Sequence, residues 1–404
     1  MKNLYNKILT VGFIIGMILN MYGDMVFSVY TIFTIVMFAI CIFSHKHRPF
    51  IAFPCEFFYM IILFIIIRGL RMSSEHFPLG VLMMMIFFGV YYAGLEKELF
   101  IRCYQKVGFI LCCVLIIQFV QLQLFGVSFS GIFTFLPINV GGNVSGFDSA
   151  AYITSIAEEQ RCNSLFAEPS HFAQFIMPLI AIDLFLAKDN YHLKRSVFWI
   201  VCTLLSKSGM GVIGLAVIGF AYLINYLKTR NISHVVLQTI IWAIPVSIIL
   251  VYLFQSVLFV ELMSRTDEFS GDNENISGYV RVVRGFVVYD HMSLAQKITG
   301  ISGRELDAVI NSSGLFASFS KDAGIYFNFI QNMLIGDGLI VFIMFVFFVI
   351  KLYKLSDYAG KTILSVFVVF AAMESMYFTP VFQIYIISIL LLIGKDKIKT
   401  KILY

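Results

Sequence analysis

The chain has 404 residues, of which 59% are hydrophobic and 13% charged, and it carries a formal net charge of +5. Soluble domains carry about 25% charged residues, so this composition and a mean hydropathy of +0.88 exclude a soluble globular enzyme and point to a polytopic membrane protein. No GxxxxGK[ST], HExxH or GxSxG pattern occurs, which removes a nucleotide-driven pump, a zinc protease and a serine-hydrolase elbow.

Apolar runs of about 15–25 residues, the length that crosses a bilayer as a helix, recur to the end of the chain. They fall near 8–22, 25–44, 50–68, 77–95, 107–126, 171–187, 196–206, 209–227, 235–260, 334–350, 361–378 and 380–394. The seventh run is too short to cross upright, and it is read as a broken hairpin with the eighth around Lys207, Ser208 and Gly209. No small-residue cleavage site separates the first two runs, so no cleavable signal peptide is expected. Basic residues set the orientation, because short loops rich in Lys and Arg stay cytoplasmic. With the N-terminus inside, the loops at 45–48, 96–106, 188–195, 227–230 and 351–354 and the KDKIKTK tail all fall inside. The expected fold is an all-α, polytopic bundle of about twelve spans, one integral membrane domain over 1–404. Both termini are then cytoplasmic, and two long outer loops lie at 126–170 and 261–331.

The stretch 161–172, RCNSLFAEPSHF, ends the first outer loop and sets Arg161, Glu168 and His171 at the mouth of an apolar helix. Pro169 suits the first turn of a helix, where its missing N–H costs nothing. Glu168 then sits at the positive end of the helix dipole, which favours its ionised form, and His171 shares its side three residues on. A Glu–Pro helix cap with an interfacial arginine is the purely structural alternative.

In the second loop, Arg281 and Arg284 stand three apart and His291 seven further on. That spacing puts two guanidinium forks on one helical face, a good match for phosphate oxygens. The alternative is an amphipathic helix lying on lipid headgroups. Arg68 and Arg71 flank the outer end of the third run and read either as phosphate partners or as snorkelling anchors. Arg304 and Lys321 are weaker cations of the same loop. Of three acids in or near spans, Glu56 and Asp183 are placed by the inner surface within reach of water, and Glu374 by the outer end with both loops. The acidic run Asp267, Glu268, Asp272 and Glu274 offers oxygen ligands to a hard cation but lacks the EF-hand order, and it reads as a solvated loop. Seven cysteines without a CxxC pair support free thiols, not a zinc site or a disulfide framework.

The pattern R-x-x-S-L-F-x-E-P-S-H-F at the end of a long outer loop resembles that of the Wzy-type O-antigen and capsular polysaccharide polymerases, whose relatives are the O-antigen ligases. SKSGMG (206–211) is similar to the next segment of that family, and the arginine-bearing second loop followed by Asn328 and IGDGLIVFIMF to its later one. The resemblance implies a metal-independent glycosyltransferase of the bacterial cytoplasmic (inner) membrane with a GT-C-like architecture and no cofactor. Its donor would be a glycan on undecaprenyl diphosphate and its acceptor a lipid-linked repeat unit. Membrane lipids and a chain-length regulator would be further partners, and nucleic acid would not. Phe327 stands before Asn328 where ligases tend to have histidine, which disfavours a ligase. A flippase or transporter of the same lipid would place its polar groups at mid-membrane, whereas here they gather in the loops. On this reading Glu168 leads as base, with His171 or His291 behind it, and Arg161, Arg281 and Arg284 hold the diphosphate.

Overall fold

The computed structural model describes residues 2–23, 28–44, 51–54, 90–92, 94–127, 129–133, 162–186, 190–229, 282–313, 327–377, 379–394 and 400–403, with isolated positions between 59 and 66 and at 136. Among these residues the fold is helical apart from one short antiparallel ladder. The helices are α1 (Lys2–Ile14), α2 (Gly16–Leu19), α3 (Val29–Ser44), α4 (Lys97–Phe125), α5 (Pro169–Phe185), α6 (Asn190–Leu205) and α7 (Gly209–Thr229). After them come α8 (Arg284–His291), α9 (Leu294–Thr299), α10 (Gly303–Ser312), α11 (Phe329–Gly336), α12 (Gly338–Leu355), α13 (Tyr358–Ala371) and α14 (Pro380–Ile393).

Helix ends follow local chemistry. α5 and α14 each begin with a proline in the first turn behind an extended residue, Glu168 or Thr379. α13 begins at Asp357, whose carboxylate accepts from the Gly360 N–H at 2.8 Å.

Among the described residues three helices are long and apolar enough to cross a membrane: α4, α7 over Gly209–Lys228, and α12. They form the rim, with exposed side chains such as Phe109, Ile117, Phe220, Ile343 and Phe347. The shorter α5 and α14 form the centre. All of α14 is buried, as is every residue of α5 from Phe172 to Asp183. A helix that is apolar and buried on every side belongs inside a bundle, and α5 packs against α4, α6, α7, α13 and α14.

α5 and α7 run parallel, with Ala173 beside Gly211, Met177 beside Gly214 and Phe185 beside Tyr222. α14 runs the same way, since the Tyr385 hydroxyl donates to the Gln174 carbonyl at 2.9 Å and the Leu392 carbonyl accepts from Lys97 at 3.4 Å. α4, α6 and α13 run against them. One end of the bundle therefore holds Glu168, the 206–208 turn and the 372–379 turn. The other holds Asp183, Arg195, Lys97 and Tyr358, whose ring stacks on Phe185.

Several expected boundaries change. The seventh run is part of a longer, 16-residue helix, α6, about 24 Å long at 1.5 Å per residue. The basic stretch 190–195, read as a loop, is its first turns. The 206–208 turn does close the expected hairpin with α7. The start of the 50–68 run is not helix but strand β1 (Ile51–Pro54), paired with β2 (Thr400–Leu403) from the basic tail. Lys351 and Lys354, read as a loop, lie in the last turns of α12, where positive charge suits the helix dipole. The 235–260 run and, of the 77–95 run, residues 77–89 and 93 lie outside the described residues.

Asp183 does not reach water. It is fully buried and gathers side chains from two neighbouring helices into one anchor. Arg195 donates through Nε to Oδ2 at 2.8 Å and through an Nη to Oδ1 at 2.6 Å. Trp199 Nε1 donates to Oδ2 at 2.8 Å and Gln105 Nε2 to Oδ1 at 2.7 Å. The His192 Nδ1 lies 3.4 Å from Oδ1 and 2.7 Å from the arginine. A charge in such a place persists only when paired and fully hydrogen-bonded. This carboxylate holds α4, α5 and α6 in register.

Candidate functional site

Glu168 is extended, with φ −135° and ψ 154°, and its carboxylate accepts from the Ser170 hydroxyl at 2.8 Å and does not cap its own helix. It and His171 are half-buried at the mouth of α5. The loop that delivers Glu168 is fixed by one side chain of α4. Gln118 Nε2 donates to the Ser164 carbonyl at 3.0 Å and to Asn163 Oδ1 at 3.1 Å, while its Oε1 accepts from the Ser164 N–H at 2.7 Å. Ser164 closes the clamp by donating to the Leu111 carbonyl at 2.7 Å, and it holds φ at 57°. Gly131, with φ +66°, lies so close to the Ser164 carbonyl that any Cβ would collide with it. Asn163 and Ser164 of the 161–172 motif therefore build the loop that leads to Glu168.

Lys207 comes to the same place from the turn between α6 and α7. Its φ of +52° is a left-handed conformation that few non-glycine residues adopt. Its ammonium acts on the buried Cys162 thiol, six residues before Glu168. Burial pushes that thiol up to about 11 and Lys207 pulls it partly back, so Cys162 stays protonated at neutral pH. Sequence reasoning took Lys207 only as a break between two runs. Its place beside the first-loop motif depends on α6 returning antiparallel to α5.

The described part of the second loop, with α11, is a small helical body with its own core of Val288, Met292, Ile301, Val309, Ile310, Phe327 and Ile335. α9 and α10 each open with a full capping box, Ser293 with Gln296 and Ser302 with Glu305. α11 opens with a third, Asn328 with Gln331. Those two amides also tie three segments together. Gln331 Nε2 donates to the Val282 carbonyl at 2.8 Å, and Asn328 Nδ2 to the Ala372 carbonyl at 2.8 Å. The Phe329 N–H donates to the Glu374 carbonyl at 2.9 Å. Gly285 lies against the Gln331 side chain, where a Cβ would stand 2.5 Å from Cδ.

This stitching brings Arg284 and Glu374 into one neighbourhood at the Glu168 end of the bundle. Arg284 is 3% exposed and Glu374 6%. His291 is not brought in: it stands exposed at the far end of α8, with Nδ1 2.9 Å from the Val287 carbonyl. The expected stripe from Arg284 to His291 thus runs from a buried residue to an exposed one. Arg161, Arg281, Arg68, Arg71, Glu56, Lys321 and the 267–274 acids lie outside the described residues, as does the Arg304 side chain. No group of three metal-ligating side chains occurs among the described residues. No family model, curated protein or solved structure matches this chain.

Proposed function

We propose that this chain is a polysaccharide polymerase of the bacterial cytoplasmic membrane, with the Glu168 end of the bundle on the outer face and both termini cytoplasmic. It transfers a growing glycan from undecaprenyl diphosphate to the sugar hydroxyl of a lipid-linked repeat unit. The observation that carries the reading is convergence. A carboxylate and a histidine from the first loop, a lysine from the α6–α7 turn, and an arginine and a glutamate from the second half of the chain all reach one end of the bundle.

In the reaction, the acceptor hydroxyl attacks the anomeric carbon of the donor glycan, and the carbon–oxygen bond to the diphosphate breaks. The hydroxyl proton passes to Glu168, the leading base, with His171 behind it. The bonding electrons leave on the diphosphate oxygen. Arg284 and Lys207, with Arg161 and Arg281 from the same two loops, stabilise that developing charge. Fixed guanidinium forks serve this purpose because they match phosphate oxygens in pairs. Holding two long lipids in line supplies much of the rate through positioning.

Deleting the gene tests the reading. Single repeat units should accumulate on the lipid or on the finished glycolipid. Long chains stranded on undecaprenyl diphosphate would instead identify a ligase.

A further inference from the structure

The second loop, read from sequence as a segment outside the membrane, stands at the depth of the spanning helices. Phe329, the first residue of α11, packs against Phe345 with ring centroids 5.2 Å apart, and against Phe367 and Phe382 at 5.7 and 5.6 Å. Phe345 is seven residues into α12, about 10 Å below its start at 1.5 Å per residue. α12 has 18 residues, about 27 Å, which nearly fills a hydrocarbon core of about 30 Å. The start of α12 therefore marks the boundary between headgroups and acyl chains. α11 begins below that boundary and climbs back to it. α8 packs along α11, through Gly285 on Gln331, and α9 packs along the first turns of α12, with Gly300 against the Gly336 carbonyl.

Three large apolar side chains of this body are exposed, among polar neighbours such as Asp290, His291 and Ser293. Leu294 is 75% exposed and Phe286 44%, with Val283 exposed beside them. Leu294 belongs to the helix that lies on α12, and α12 itself presents Leu339, Ile340 and Ile343 outward. Leu294 thus extends the apolar surface that a spanning helix turns outward. Large exposed apolar side chains at the headgroup–acyl boundary gain free energy by entering it.

We propose that the helical body formed by 282–313 and 327–336 is seated in the bilayer boundary and uses Val283, Phe286 and Leu294 as its lipid anchor, with the bilayer itself as the occupant of those side chains. The inference rests on depth and exposure and does not require the glycan-transfer reading. Its consequence is that Arg284, on the inner side of the same helix, stands at the level where phospholipid and polyprenyl phosphates lie.

The test is Leu294→Trp in the full chain, reconstituted in phosphatidylcholine vesicles with brominated acyl chains. The parent's two tryptophans give a background to subtract. The added emission should be blue-shifted and lose most of its intensity to bromines near the headgroup end, less to bromines near the methyl end, and little to aqueous iodide. Phe286→Trp, a milder change, should behave alike. Emission quenched by iodide and indifferent to bromolipid would overturn the proposal. So would blue-shifted emission untouched by either quencher, which would mean that protein covers the face.

Discussion

Replacing Glu168 with glutamine is expected to slow chain extension by roughly 10²–10⁴-fold, the usual contribution of a positioned general base, while the amount of folded protein stays as it was. The amide fills the same volume and still accepts from Ser170, and Gln118 holds the loop through Asn163 and Ser164. Activity and folding should therefore separate at this position. Polymer length and rate in cells complemented with Glu168→Gln, beside the protein's elution in mild detergent, give both readouts. Long polysaccharide at the normal rate would remove Glu168 from the role of base and pass it to His171.

Asp183→Ala should have the opposite profile, with loss of the folded protein itself. Removing one partner of a buried ion pair costs about 3–5 kcal/mol because the other charge is left stranded, and total stabilities are only about 5–15 kcal/mol. Here the stranded group is Arg195, and Trp199 and Gln105 lose their acceptor as well. The check is a thermal-unfolding series in detergent. Replacing Asp183 and Arg195 together by leucine should cost less than Asp183→Ala alone, because no charge is left buried. Equal or additive losses would show that the pair contributes no coupling.

The contrast between these sites shows what the chain order gives away. The α5 mouth was legible because Glu168-Pro169 opening an apolar run is a local signal: proline is favoured at the first position of a helix. The apolar runs announced α4, α7 and α12, and Gly209 after Lys207-Ser208 announced the hairpin. Asp183 was misread because its fate depends on groups from other helices. Nothing near it in sequence says that Gln105 will face it, and Arg195 looked like one more basic loop residue until α6 extended over it. The 50–68 run hid a strand because its partner lies at the far end of the chain, 349 positions on from Ile51 at Thr400 in chain order. The packing of the second loop was hidden for a related reason. Its polar caps, Ser293, Ser302 and Asn328, are visible in sequence, but its place against the bundle is set by Phe329 entering an aromatic cluster built from three other helices.

The proposed chemistry asks for two lipids to meet at the end of the bundle that holds Glu168, Lys207, Arg284 and Glu374. Purified protein in vesicles, supplied only with the diphosphate-linked repeat unit, tests this most directly. Lengthening of the sugar chain with one polyprenyl diphosphate released per added unit is the predicted result. Movement of the intact repeat unit from one leaflet to the other, with neither chain growth nor diphosphate release, would contradict it.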